Sequence, residues 1–195
     1  MDNLNIMLVG VGGQGTLLAS RVLGNVAIKK SFDVKVSEVH GMSQRGGSVV
    51  TYVKLGKKIY SPIIDKGEAD IIIAFEQLEA LRWLDFLKDG GRLIINEQKI
   101  NPMPVIIGKA KYPENILEKI KENYPNTISV DALEVAKGCG NIKAVNIVLL
   151  GIMARSTDIE KNIWIEAMKE VIPEKLIDVN LKAFEAGYSI MVKIF

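Results

Sequence analysis

The chain has 195 residues, of which 48% are hydrophobic, and its 25 Lys and Arg against 23 Asp and Glu give a net charge of +2. This apolar fraction excludes a disordered chain, and the charge balance disfavours nucleic-acid binding. One cysteine, Cys139, and one histidine, His40, exclude a disulfide framework, a cysteine-held iron–sulfur cluster and a His-rich metal site. No apolar run reaches the roughly 18 residues of a membrane helix, and no signal segment is recognisable. We therefore expect a cytoplasmic protein that binds neither membranes nor metals.

The N-terminal third predicts a strand, a helix and a second strand. Residues 4–9 form a short apolar run that ends at a glycine cluster, as in a strand buried on both faces. Apolar residues then recur at four-residue spacing from Leu18 to Val26, which indicates an amphipathic helix ending near Lys30. Valines in residues 34–39 indicate the next strand. The spacing is that of a βαβ unit.

The middle of the chain predicts alternating strands and helices. Residues 48–55 form a β-branched strand, and the turn that follows is expected to make a hairpin with residues 59–60. We predict further strands over residues 69–75, 92–96 and 128–130, helices over residues 77–87 and 113–123, and a loop over residues 101–104, where Pro102 and Pro104 disfavour helix and strand alike.

The C-terminal part is predicted to be helical from residue 131. Asn141 is expected to cap a helix over residues 142–155 that is apolar nearly all round and is therefore buried in its own core or against a partner. Further helices are expected over residues 163–172 and from Pro173 onward. The predicted fold is a single α/β domain over residues 1–195, Rossmann-like, with a largely parallel sheet flanked by helices and a helical C-terminal part.

A glycine turn lies between the first predicted strand and helix. It matches G-x-G-x-x-G and consists of Gly10, Val11, Gly12, Gly13, Gln14 and Gly15. Such a turn lets a ligand approach the backbone, and the helix N-terminus offers unpaired N–H groups and the positive end of a dipole, which favours a phosphate. The alternative is that the glycines only allow close packing of strand and helix.

Glu38 lies 23 residues after Gly15, near where an acid binds the ribose in dinucleotide enzymes. A second domain to present the substrate is missing, and Glu38 leads directly into an unusual loop. The other interpretation is a surface carboxylate or one that anchors this loop.

The loop that follows carries the densest chemistry of the chain. It consists of His40, Gly41, Met42, Ser43, Gln44, Arg45, Gly46 and Gly47. The guanidinium of Arg45 is suited to clamp a phosphate or carboxylate, and His40 to act as a general acid or base, although no triad partner is evident. The alternative is a conformationally demanding loop in which His40 caps a backbone carbonyl. We expect the loop and the glycine turn to form one surface at the strand ends.

Four other residues are weaker candidates. Cys139 lacks a neighbouring histidine, which favours an inert thiol, and Asn146 within an apolar helix favours a core amide or a helix contact. Trp83 and Trp164 are expected to be packing residues, with an interface anchor as the alternative.

Two segments resemble the gamma domain of the 2-oxoacid:ferredoxin oxidoreductases. Residues 9–15 (VGVGGQG) are similar to its opening, and residues 38–49 (EVHGMSQRGGSV) narrow the resemblance to the small (beta) subunits of indolepyruvate ferredoxin oxidoreductases. Residues 60–62, 172–175 and 180–184 also fit. The resemblance covers nearly the whole chain.

The resemblance implies a subunit of an enzyme that oxidatively decarboxylates arylpyruvates to aryl-acetyl-CoA and passes electrons to ferredoxin. Thiamine diphosphate, Mg²⁺ and [4Fe-4S] clusters would then belong to a large alpha subunit, and this chain would hold no cofactor alone. Its glycine turn and the 40–47 loop would line the coenzyme A edge and face the partner, and no catalytic residue is assigned. A homodimer is expected for the isolated chain. Two alternatives are a free-standing NAD(P)-binding Rossmann protein and a non-catalytic scaffold.

Overall fold

The computed structural model describes residues 3–41 and 46–190 and contains one six-stranded sheet with helices on both faces. The strands are β1 (Leu4–Val11), β2 (Asp33–His40), β3 (Ser48–Gly56), β4 (Ala69–Ala74), β5 (Leu87–Asn96) and β6 (Thr127–Val130). The helices are α1 (Thr16–Lys29), α2 (Gln77–Arg82), α3 (Met103–Ile106), α4 (Ile116–Asn123), α5 (Ala132–Gly138), α6 (Val145–Arg155), α7 (Lys161–Val171) and α8 (Glu174–Tyr188). Short 3₁₀ turns cover Leu84–Phe86 and Ile142–Ala144.

The sheet has the strand order β2-β3-β1-β4-β5-β6. Strands β1, β4, β5 and β6 are parallel neighbours, whereas β3 is antiparallel to both β1 and β2. Strand β2 therefore runs in the direction of β1 but is separated from it by β3. The predicted α/β, Rossmann-like fold is confirmed, and the strand–helix–strand unit is present with a third strand inserted between its two strands.

The two faces of the sheet bury two separate cores. Alternate residues of the central strands point to opposite sides, as the period of two requires. Leu8 and Ile73 pack on the side of α1, α6, α7 and α8, whereas Val9 and Ile72 pack on the side of α2 and α4. The carboxyl ends of the four parallel strands consequently meet at one edge between two helical layers.

Helix α6 lies within the first of these cores. Its residues 146–154 are all buried, and it packs along α8 and over the sheet. The predicted apolar helix is thus covered by this chain itself. Two glycines allow the close approach, because a Cβ on Gly151 would meet the carbonyl oxygen of Phe184, and a Cβ on Gly187 would meet that of Val148.

The predicted hairpin between residues 48–55 and residues 59–60 is wrong. Strand β3 pairs with β2 upstream in the chain, and residues 57–66 form no strand. Their backbone is held by side chains: the N–H of Ile59 donates to the carboxylate of Asp33, and Lys54 Nζ donates to the carbonyl of Ile63. Pro62 also removes one donor that a ladder would need.

The predicted loop over residues 101–104 is partly wrong, because α3 begins at Met103. Pro102 precedes the helix and Pro104 lies in its first turn, where the missing N–H has no intrahelical acceptor. The predicted helix over residues 77–87 ends at Arg82, and β5 begins at Leu87, five residues earlier than expected.

No helix of residues 3–41 and 46–190 has the length and apolarity required to cross a bilayer.

We predict opposite effects for two helical glycines. Gly151→Ala should lower the free energy of unfolding by about 1–3 kcal/mol, because the added methyl forces α6 away from α8. Gly24→Ala, in the interior of α1 with open space around it, should raise the free energy of unfolding by about 0.5–1 kcal/mol through helix propensity. Urea denaturation of both variants measures the difference, and equal effects would contradict the packing described for α6 and α8.

Candidate functional site

The candidate site lies at the carboxyl edge of the sheet, where β1 and β4 run side by side. The chain leaves β1 toward α1 on one face and leaves β4 toward α2 on the other. Such a switch point opens a crevice between the two connections, and ligands of open α/β sheets bind there. The glycine turn occupies this position.

Glycine is required at several positions of the glycine turn, either by the backbone angle or by the close approach of neighbouring atoms. Gly13 and Gly15 have φ angles of 101° and 85°, in the left-handed region that glycine adopts without strain. A Cβ on Gly10 would lie 2.9 Å from Gln14 Oε1 and 3.0 Å from the Cβ of Phe75. At Gly10, near the end of β1, there is therefore no room for a larger residue beside Phe75.

The amide of Gln14 locks this turn from within. Its Oε1 accepts the N–H of Val11 at 2.8 Å, and its Nε2 donates to the carbonyl of Phe75 at 2.9 Å and to Gln98 Oε1 at 3.3 Å. Asn96 Nδ2 donates to the same Phe75 carbonyl at 3.0 Å. Gln14 thus joins the ends of β1 and β4 to the segment after β5, and both ends of its amide are engaged inside the protein.

Asn146 holds the start of α1 from the opposite side. Gly15 is the N-cap of this helix, and its carbonyl accepts both the N–H of Ala19, at 3.2 Å, and Asn146 Nδ2, at 3.1 Å. A Cβ on Gly15 would lie 2.7 Å from Asn146 Nδ2. The structure supports the interpretation of Asn146 as a buried amide in a helix contact, and the contact reaches the candidate site.

The loop after β2 meets the glycine turn. The N–H of Gly12 donates to the carbonyl of Gly47 at 2.9 Å. Beside this contact lies a cleft of about 380 Å³. The cleft is lined by Gly12, Gly13, Gly15, Thr16, Leu17, Glu38, His40 and Val49. The structure therefore brings both predicted segments together, although Met42, Ser43, Gln44 and Arg45 lie outside the described residues; Gly41 and Gly46 flank them and are exposed.

The two sides of the cleft differ in charge. The first turn of α1 provides backbone N–H groups without intrahelical acceptors and the positive end of the helix dipole. Across the cleft, Glu38 Oε2 accepts Thr51 Oγ1 at 3.1 Å, and Glu38 Oε1 lies 3.9 Å from His40 Nδ1. An anion is thus favoured at the glycine end of the cleft, and a group that donates hydrogen bonds is favoured at the Glu38 end.

The prediction from sequence missed a buried acidic pair on the other face of the same edge. Glu76 caps α2 by accepting the N–H of Glu79 at 2.9 Å, and it also accepts Tyr112 Oη at 2.5 Å and the N–H of Ile100 at 3.0 Å. Burial is the main cause that raises the pKa of Tyr112, and the hydrogen bond to Glu76 raises it further. The hydroxyl of Tyr112 therefore remains protonated and acts as a donor. The sequence pattern does not reveal this pair, because a capping box begins with Ser or Thr and here a glutamate, Glu76, is the N-cap.

The other three weaker candidates, Trp83, Cys139 and Trp164, do not line the cleft. Trp164 is fully buried with its ring centroid 6.4 Å from that of Phe184, and Trp83 packs 5.2 Å from Phe86. Cys139 is half-buried as a free thiol. Within residues 3–41 and 46–190, no three His, Cys, Asp or Glu side chains are grouped so as to hold a metal ion.

Comparison with known proteins gives a family and a fold. The family model described as pyruvate ferredoxin/flavodoxin oxidoreductase matches residues 5–190. The chain is 41% identical over 194 residues to the indolepyruvate oxidoreductase subunit IorB of Pyrococcus horikoshii, covering 96% of this chain and 95% of that protein. It is 40% identical over 190 residues to the subunit of the same name from Archaeoglobus fulgidus, with 95% and 94% covered.

A solved structure shares this architecture. The gamma subunit of a keto/oxoacid ferredoxin oxidoreductase from Geobacter sulfurreducens aligns with a TM-score of 0.71 at 26% identity, over 95% of this chain and 96% of that one. The alignment thus extends over both helical layers and the sheet edge that carries the cleft.

We predict that the amide of Gln14 stabilises the fold. Gln14→Met keeps the length of the side chain and should lower the free energy of unfolding by about 1–3 kcal/mol, because the N–H of Val11 loses its acceptor in a buried place. Asn123→Ala removes an exposed amide that bonds only within α4 and should change stability by less than about 0.5 kcal/mol. Chemical denaturation measures the free energy of unfolding of both variants. A Gln14→Met variant as stable as Asn123→Ala would refute the locking role.

Proposed function

Because the chain belongs to the pyruvate ferredoxin/flavodoxin oxidoreductase family, we propose that it is the small subunit of a complex that oxidatively decarboxylates indolepyruvate and related arylpyruvates to aryl-acetyl-CoA, with ferredoxin as electron acceptor. The observation that carries this proposal is the identity of about 40% to IorB subunits along nearly the entire chain. The substrate is inferred from the name that these relatives carry.

The composition supports the assignment of the cofactors to a different subunit of the complex. A [4Fe-4S] cluster needs four thiolates, and this chain has one cysteine. Thiamine diphosphate, when bound with Mg²⁺, supplies carbanion chemistry. We assign this group and the clusters to a large alpha subunit in the cytoplasm. In this proposal residues 1–195 form one gamma-type domain that shapes the edge of the active site and receives part of a cosubstrate.

Coenzyme A is the cosubstrate whose chemistry fits the cleft. Its phosphates match the N–H groups and positive dipole end at the start of α1. The carboxylate of Glu38 repels an anion, which favours a phosphate at the glycine end over the Glu38 end. Gln14 and Asn146 fix the turn and the helix start, so this chain's residues bind and orient the ligand. Arg45, two residues before the Gly47 that contacts the turn, is proposed as a further anion clamp.

The alternative of a free-standing NAD(P)-binding protein is not favoured. In a dinucleotide-binding fold the acid for the ribose lies at the end of the strand next to β1. Here β3 occupies that place, and Glu38 belongs to the strand beyond it, where its carboxylate is bonded to Thr51. The relatives are named as subunits of oxoacid oxidoreductases.

Co-purification tests the subunit role. The tagged chain, isolated from its native cell, should carry with it a larger polypeptide, iron–sulfur absorbance and thiamine diphosphate. The complex should oxidise indolepyruvate only when coenzyme A and ferredoxin are present. If the chain were isolated alone and by itself oxidised a substrate with NAD, the proposal would be wrong.

We predict that a negative charge at the start of α1 weakens coenzyme A binding. Leu17 is half-exposed and lines the cleft in the first turn of α1. Leu17→Glu should raise the KM for coenzyme A about tenfold in the assembled complex, because its carboxylate takes the place favoured for a phosphate. Leu17→Gln has the same size without the charge and should stay within about twofold of the wild type. Steady-state kinetics measure both, and equal KM values would contradict anion binding at this place.

A further inference from the structure

Glu79 is a buried carboxylate that connects α2 to the first residue of β3. Its side chain is 3% exposed. Ser48 Oγ donates to Glu79 Oε2 at 2.5 Å, and Arg82 Nη1 donates to Glu79 Oε1 at 2.7 Å. Both oxygens therefore have a partner, and one of these partners lies at the end of the loop that reaches the glycine turn.

Ser48 lies between two groups of the cleft. The residue before it, Gly47, accepts the N–H of Gly12, and the residue after it, Val49, lines the cleft. Ser48 itself is paired with Val11 across the β1–β3 ladder. Because neighbouring strand residues face opposite sides, Ser48 points to the α2 face while Val49 points to the cleft.

Burying the carboxylate of Glu79 costs folding free energy, because the charge loses its hydration. Removing a charge from water costs more than an apolar contact of the same size gains, unless hydrogen bonds and a counter-charge compensate it. A charged group in this place forms a hydrogen bond with a defined geometry. The short charge-assisted bond from the Ser48 hydroxyl holds the end of the strand in one position. The bond to Glu79 therefore restrains Ser48, the residue directly after the Gly47 whose carbonyl meets the glycine turn.

We propose that Ser48 and Glu79 are positioning residues of the cosubstrate cleft: their bond holds the start of β3 so that Gly47 and Val49 shape the place where the anionic cosubstrate binds. This inference rests on the proposed function, which supplies the cosubstrate. Neither side chain touches the ligand, and both act from the opposite face of the sheet.

Ser48→Ala tests the proposal in the complete complex. We expect the KM for coenzyme A to rise about fivefold or more, with kcat and the KM for the oxoacid within about twofold of the wild type. Ser48→Thr retains the hydroxyl and should restore the KM. Ser129→Ala is the matched control, because Ser129 Oγ donates to Glu97 Oε1 at 2.7 Å at the end of β6, away from the cleft. If Ser48→Ala behaves like Ser129→Ala, or if Ser48→Thr is as impaired as Ser48→Ala, the proposal is refuted.

Amide hydrogen exchange of the full chain without ligand separates this inference from the proposed function. Ser48→Ala should accelerate exchange of the Gly12 N–H about fivefold or more, and Ser129→Ala should leave it unchanged. Unchanged exchange in Ser48→Ala overturns the positioning role whatever the activity of the complex. Accelerated exchange together with a complex that needs no coenzyme A would instead refute the proposed function.

Discussion

The structure depends on a narrow passage at the end of β1, where the chain must turn between β3 and β4 and enter α1. Gly10 has no room for a Cβ, and Gly13 and Gly15 adopt backbone angles that other residues avoid. The amide of Gln14 then joins the ends of neighbouring strands, and Asn146 supports the helix start from α6. A turn held from both faces presents N–H groups in fixed directions, which is what binding an anion requires.

The parts of the fold that follow from local pattern were predictable, and the parts that depend on pairing were not. The apolar run of β1, the four-residue spacing of α1 and the apolar α6 each carry their own signal. Strand β3 carries a clear strand signal too, but its position between β1 and β2 depends on contacts distant in sequence. The local pattern therefore predicts a hairpin between β3 and residues 59–60, whereas β3 pairs with β2.

The candidate site also contains residues that the sequence predicts and residues that only the structure reveals. The glycine turn and the 40–47 loop stood out in the sequence because glycines cluster there, and the structure places Gly12 against Gly47. The inward amide of Gln14 and the buried Glu76 and Glu79 did not stand out, since a single glutamine or glutamate is ordinarily a surface residue. Their importance follows from burial and partners. One face of the sheet edge carries the cleft, and the other carries Glu76 and Glu79, of which we propose that Glu79 positions the start of β3 beside the cleft.

A structure of the assembled complex with coenzyme A would show directly whether the start of α1 binds an anion. We expect a phosphate of coenzyme A within hydrogen-bonding distance of backbone N–H groups of residues 13–17, with iron–sulfur clusters and thiamine diphosphate bound by the larger subunit. Coenzyme A bound wholly by the larger subunit, with its phosphates away from the start of α1, would contradict this expectation.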